Sequence, residues 1–320
     1  MDKEEAKIIE LSKRKGEDLY KLFRSKKIDY DAIFKIILST DNFQRQVISD
    51  YINNNHSKSI LILIEDKLKG DLRDILTYMF YNPYELDARL LYKSFQGFRT
   101  DTKVIIEIFA TRPKWYLELV GQEYERIYKR SLKSELEKKK NKDFYKFLLC
   151  LFNTEREEGK HIDIPEGEKI VEEMNAKGLK TYGSNLELFK KVFVLPSRED
   201  FVLIARIFFK NNPKKKNLYQ AVDDQVSGDN RELLKALVYA VCDPSHYFAH
   251  CLKKAIVGFG TNTKTLNRIL TCRSEIDMDV IRERYKGETG RELINDIKGD
   301  CSGEYGQFLV ELASKTPEEE

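Results

Sequence analysis

The sequence predicts an all-helical chain, on three observations. Apolar residues recur at i, i+3 and i+4 along most of its length. Strand-like alternation is weak throughout. One helical pattern also returns four times in register. Placing Gly258 on Gly97, Thr181 and Ser25 superposes Leu266, Ile269 and Leu270 on Ile105, Ile108 and Phe109, on Phe189, Val192 and Phe193, and on Ile33, Ile36 and Ile37. All of these positions are apolar. Farther along, Tyr305, Phe308, Leu309 and Leu312 fall on Phe144, Phe147, Leu148 and Leu151, and on Leu72, Ile75, Leu76 and Met79. With a two-residue insertion the third copy supplies Asn230, Leu233, Leu234 and Leu237, and only Asn230 breaks the pattern.

Taken in order, residues 1–13 read as a short charged tail without the apolar stretch of a signal peptide. The first repeat covers 14–84 and the second 85–153. The acidic, Gly- and Pro-containing segment 154–168 reads as a linker dividing the chain into halves. The third repeat covers 169–242 and the fourth 243–316. Each has room for about five short helices packed in helix-on-helix layers. Ser184 with Glu187 has capping-box spacing, and Thr261, Thr100 and Asp29 stand where helix N-caps are expected.

Composition removes several function classes. Lys plus Arg is 56 against 53 Asp plus Glu, a balance that gives no reason to expect a nucleic-acid partner. Local clusters such as Lys138–Lys140 and Lys214–Lys216 carry more information than the total, and the second reads as a solvated loop. Five cysteines without a C-x-x-C pair favour a reducing compartment. No apolar stretch is long enough to span a bilayer, so membrane contact would be peripheral. No nucleophile, base and orienting residue share a recognisable spacing, so no enzymatic activity is expected.

The stretch GFGTNTKTL, residues 258–266, carries the sharpest chemistry. A glycine-framed turn at the mouth of a helix can cradle phosphate with its amides. Here, however, no Gly-Lys-Ser or Gly-Lys-Thr follows, and the preceding HCLKKAIV reads as helix and not as strand. The turn is better suited to offering carbonyl oxygens to a cation. Asp300, in the connection before the last apolar helix, follows Gly258 by 42 residues and can share one end of a helical bundle with it. Carbonyls of Ile256, Gly258 and Gly260 with the Asp300 carboxylate form a hard oxygen set suited to Ca²⁺.

With G-x-G-T, CRSEIDM and IKGDCSGEY in place, residues 258–312 resemble the fourth repeat of an annexin, and FQRQVI at 43–48 is similar to the first. The resemblance spans about 14–316, and the degraded sites suggest a divergent member of the kind found among the protist alpha-giardins. It implies four annexin-like repeats forming a curved disc that binds acidic phospholipid through Ca²⁺. The matching positions of the first two repeats are basic. Ser25, Lys26 and Lys27 face Lys67 in the first, and Arg99 faces Lys139 in the second. In the third, Gly178, Thr181 and Gly183 form an incomplete second candidate, with Gln225 at the carboxylate position.

Phe98, Tyr182 and Phe259 each occupy the middle of such a turn and are membrane-contact candidates. Lys26, Lys27, Lys67, Arg99 and Lys139 are either plain losses or direct phosphate contacts. His246 and His250, near Cys242 and Cys251, have a spacing that zinc can use, but Pro244 separates Cys242 from that helix and ordinary histidines fit better. The annexin pattern makes Arg268 and Arg273 structural. The expectation is a cytoplasmic protein, peripheral on the inner face of membranes, that binds acidic phospholipids with Ca²⁺. The alternative is a scaffold attached to cytoskeleton or acidic polysaccharide, with Ca²⁺ as modulator.

Overall fold

Helices form wherever the apolar register and a polar start signal coincide. The structure, a computed structural model, describes residues 3–96, 100–139, 142–157, 159, 161–178, 184–212, 214–258 and 260–316. Among the described residues there are twenty α-helices in four sets of five, and no strand. The first set is α1 (Lys3–Arg24), α2 (Tyr30–Leu38), α3 (Asn42–Asn55), α4 (Ile60–Lys67) and α5 (Gly70–Met79). The second is α6 (Pro83–Gln96), α7 (Thr102–Thr111), α8 (Lys114–Tyr128), α9 (Leu132–Glu137) and α10 (Asp143–Asn153). The third is α11 (Ile164–Lys177), α12 (Leu186–Phe189) widening into a π turn (Lys190–Val194), α13 (Arg198–Asn211), α14 (Leu218–Gln225) and α15 (Gly228–Cys242). The fourth is α16 (Pro244–Ile256), α17 (Thr263–Arg273), α18 (Met278–Thr289), α19 (Leu293–Asp300) and α20 (Gly303–Ala313).

The register positions build the core. Of the aligned apolar residues on α2, α7, α12 with its π turn, and α17, all are buried except Ile36, which is half-buried. Residues 3–13 are the first part of α1, which carries Glu4 and Glu5 in its first turn and Lys21 and Arg24 in its last. That charge order complements the helix macrodipole. Residues 164–168 begin α11, capped by Asp163. Ahead of them, the Glu157 amide donates to the Leu195 carbonyl at 2.8 Å, and Arg156 donates to the carbonyls of Pro196 and Phe193.

Three helix starts fall one residue later than expected. Asn262, not Thr261, caps α17 by accepting from the Thr265 amide. Asn185, not Ser184, caps α12 by accepting from Leu188, and Asp101 precedes α7 in place of Thr100. Asn and Asp cap at least as well as Ser and Thr, so the later residue takes the position where both adjoin. Asp29 caps α2 as expected.

The chain packs as two compact units, one of residues 1–83 with 248–320 and the other of 84–247. In the first unit Arg45, almost wholly buried, ties the first and fourth repeats together. Its guanidinium donates to the carbonyls of Met79 (2.8 Å) and Thr40 and to the Glu275 carboxylate at 2.7 Å. The Thr263 hydroxyl donates to Asp71 at 2.9 Å, and the Phe34 and Phe308 rings lie 4.9 Å apart. In the second unit Phe147 stacks on Phe189 at 4.1 Å, and the Thr102 hydroxyl donates to Asp229 at 2.9 Å. Trp115, the single tryptophan, lies in the first turn of α8 and is 55% exposed. Phe43 and Ile276 hold the same register position in the first and fourth repeats, 51% and 60% exposed.

Candidate cation-binding turns

The fourth-repeat turn is made by the end of one helix. α16 stops at Ile256, and the Val257 amide still donates back to Lys253 at 2.7 Å. The Asn262 amide then closes the loop onto the Ala255 carbonyl at 2.8 Å. Between them the backbone takes positive φ at Gly258 (147°) and Gly260 (83°). A Cβ at either glycine would meet nothing within 4 Å, so conformation and not space calls for glycine. The last carbonyls of a helix have no intrahelical donor, and with those of Lys253 and Ala255 taken by Val257 and Asn262, that of Ile256 is left available to a ligand.

Asp300 meets this turn from a second helix end. It is the final residue of α19, with an exposed carboxylate, and the Thr261 hydroxyl donates to its Oδ2 at 3.1 Å. Asp300 is thereby joined to the turn at Thr261, three residues after Gly258. Two helix C-termini converge here, each carrying about half a negative charge. A carboxylate added to them is electrostatically unfavourable until a cation arrives. Burial, together with the charges of Asp300 and Asp71, pushes the neighbouring Cys301 thiol up to about 11. The donor set of turn carbonyls and one carboxylate fits Ca²⁺, which takes oxygen ligands and tolerates irregular geometry. Among the described residues no group of three or more His, Cys, Asp and Glu could hold a metal. A turn built on carbonyls is not of that type.

The first repeat repeats the geometry with the charge reversed. Lys67, at the register position of Asp300, ends α4 and donates from Nζ to the Ser25 carbonyl at 3.1 Å. Lys26 and Lys27 are exposed in the same turn. In the second repeat Lys139 Nζ lies 3.4 Å from the Thr100 hydroxyl, the residue matching Thr261, and over the rings of Phe95 and Tyr145 at 5.2 and 5.7 Å. Phe98 and Arg99 lie outside the described residues.

The third repeat shows part of its candidate. Gly178 follows α11 with φ 70° and donates to Met174. Thr181, Tyr182 and Gly183 lie outside the described residues. Gln225 ends α14, and Asp224 beside it pairs with Lys216.

Phe259 also lies outside the described residues. Val257, which the sequence reading passed over, is 42% exposed on the same turn. The signal that could have found it is its position between the buried Ile256 and the first glycine. The hydroxyls of Thr261 and Thr100 do not cap their helices but reach the residue at the carboxylate position. His250 Nδ1 lies 2.8 Å from Glu288, which also pairs with Lys253. Arg273 bonds Asp277 at 2.6 Å and lies over the Phe248 ring. Among the described residues no helix is long and apolar enough to cross a membrane.

Known proteins share this organisation. The Annexin family model matches residues 86–151 and 247–312. The chain is 30% identical over 299 residues to Annexin A3 of Bos taurus, covering 89% of this chain and 92% of that one. It is similar to the solved structure of annexin III with TM-score 0.87 and 27% identity, covering 94% and 93% of the two chains. It also resembles the calcium-bound structure of alpha-14 giardin, with TM-score 0.79 and 16% identity over 96% of this chain and 100% of that one, a likeness of fold alone.

Proposed function

Because the chain belongs to the annexin family, whose members are generally Ca²⁺-dependent phospholipid-binding proteins, we propose that it attaches to acidic phospholipid membranes through the turn of its fourth repeat. The carbonyls of Ile256, Gly258 and Gly260 and the carboxylate of Asp300 would hold the ion. Bound there, Ca²⁺ supplies a divalent charge with coordination positions left over for lipid phosphate oxygens. The observation that carries this reading is the Thr261–Asp300 hydrogen bond, which joins the turn to the carboxylate. Val257 is exposed beside the site, and with Phe259 it would enter the headgroup layer as the ion docks.

One carboxylate and three neutral carbonyls bind Ca²⁺ weakly in the absence of lipid, so ion and membrane should bind cooperatively. Attachment is peripheral, and on the inner face of the membrane in this reading. The test is pelleting with vesicles of phosphatidylserine and phosphatidylcholine, with and without Ca²⁺. Wild-type protein is expected to pellet with Ca²⁺, and Asp300→Ala to lose the Ca²⁺-dependent component. Undiminished Ca²⁺-dependent pelleting of the variant would overturn the assignment.

A further inference from the structure

We propose that in the first two repeats a lysine ammonium stands where a complete turn holds its metal ion, and that it binds the phosphate of an anionic lipid headgroup directly, without calcium. The inference rests on the reading above that the matching turn of the fourth repeat meets the membrane. It differs in needing no metal.

The first-repeat geometry carries it furthest. Lys67 holds the register position of Asp300, and its Nζ donates to the carbonyl of Ser25, the residue matching Gly258. A lysine on a helix end has four rotatable side-chain bonds and ordinarily extends into water. Here it turns back onto the carbonyl of the glycine-equivalent position, where the helix ends concentrate negative potential. The adjacent carboxylate of Asp66 is engaged by Lys58 at 2.5 Å. An ammonium has three N–H donors. One reaches Ser25, and the remaining two can serve an external oxygen anion, as the open coordination positions of a metal would.

The surroundings suit phosphate. A cleft of about 420 Å³ opens beside Lys67, lined also by Tyr30, Lys69 and Glu304. Asp71 lines it too, so within the cleft Lys67 and Lys69 are balanced by the carboxylates of Asp71 and Glu304, and the positive excess comes from the turn. Lys26 and Lys27 add two exposed charges on the same turn. The second repeat repeats the substitution in the other compact unit. Lys139 reaches the Thr100 hydroxyl and is held against two aromatic faces. Both repeats thus replace the Asp300-type carboxylate by a lysine, which reaches the Ser25 carbonyl in the first and the Thr100 hydroxyl in the second.

The experiment is pelleting of the full chain in chelator with phosphatidylserine–phosphatidylcholine vesicles at low salt. Wild type is expected to bind, and binding to fall steeply as salt passes about 0.1 M, where screening acts over ~10 Å. Lys67→Gln with Lys139→Gln should weaken this component by about fivefold for each lysine removed. A charge-matched control, Lys7→Gln with Lys13→Gln on α1, should not. Lys67→Arg with Lys139→Arg should restore it, since guanidinium also donates to phosphate. The glutamine variant should keep Ca²⁺-dependent pelleting, which shows that it is folded. No wild-type binding in chelator, or equal loss in the control, overturns the proposal. So does displacement of vesicles by inorganic phosphate at matched ionic strength, which would make the site one for the free ion. The fourth-repeat reading is tested separately, in Ca²⁺ and with Asp300→Ala, so either can fail alone.

Discussion

Asp300 shows how a single residue can be placed against the stability of its own helix. An acid at a helix C-terminus opposes the macrodipole, and this one also faces the C-terminal end of α16. Lys67, at the same position on α4, has the stabilising sign. In chelator, Asp300→Asn should therefore raise the thermal midpoint slightly, by about 0.3–1 kcal/mol of relieved repulsion. In saturating Ca²⁺ the order should reverse, because only the wild type gains stability from the bound ion. Differential scanning calorimetry with and without chelator checks both signs, and a variant that Ca²⁺ still stabilises would exclude Asp300 as a ligand.

At the scale of the element, the turn between α16 and α17 depends on backbone that other residues adopt only under strain. Gly260→Ala places a Cβ at φ 83°, with open space around it, so the cost is conformational. It should destabilise by about 1–2 kcal/mol and weaken Ca²⁺-dependent vesicle binding, since the relaxed turn no longer converges its carbonyls. Binding at wild-type strength would show that the turn carbonyls are not the ligands. The helices themselves were legible in the sequence, because burial at i, i+3 and i+4 leaves a periodic trace in residues such as Leu266, Ile269 and Leu270. The spacing of Gly258 and Asp300 was legible once the repeats were aligned. The hydroxyl contacts of Thr261 and Thr100 were not. In Thr261-Asn262 and Thr100-Asp101 either neighbour can cap a helix, and only the folded backbone decides which one turns outward to a partner.

At the scale of the whole molecule, the pairing of the first repeat with the fourth makes distant parts of the chain share one stability. Arg45→Met strands the carbonyls of Met79 and Thr40 and leaves Glu275 without its guanidinium. The expected loss is about 2–4 kcal/mol, partly recovered in the double variant with Glu275→Gln, as a double-mutant cycle in denaturant would measure. That loss belongs to the unit that carries Asp300, although Arg45 lies in the first repeat. The chain's one indole, Trp115, lies in the other unit and is largely open to water. Its ring meets that of Tyr116 at 5.7 Å, a native contact that unfolding removes, so its emission reports that unit. Far-ultraviolet circular dichroism, by contrast, sums the helices of both units. In Arg45→Met the dichroism midpoint should move while the fluorescence midpoint stays, so the two optical transitions cease to coincide and the protein can no longer be treated as two-state. A common shift in both signals would show instead that the units melt as one.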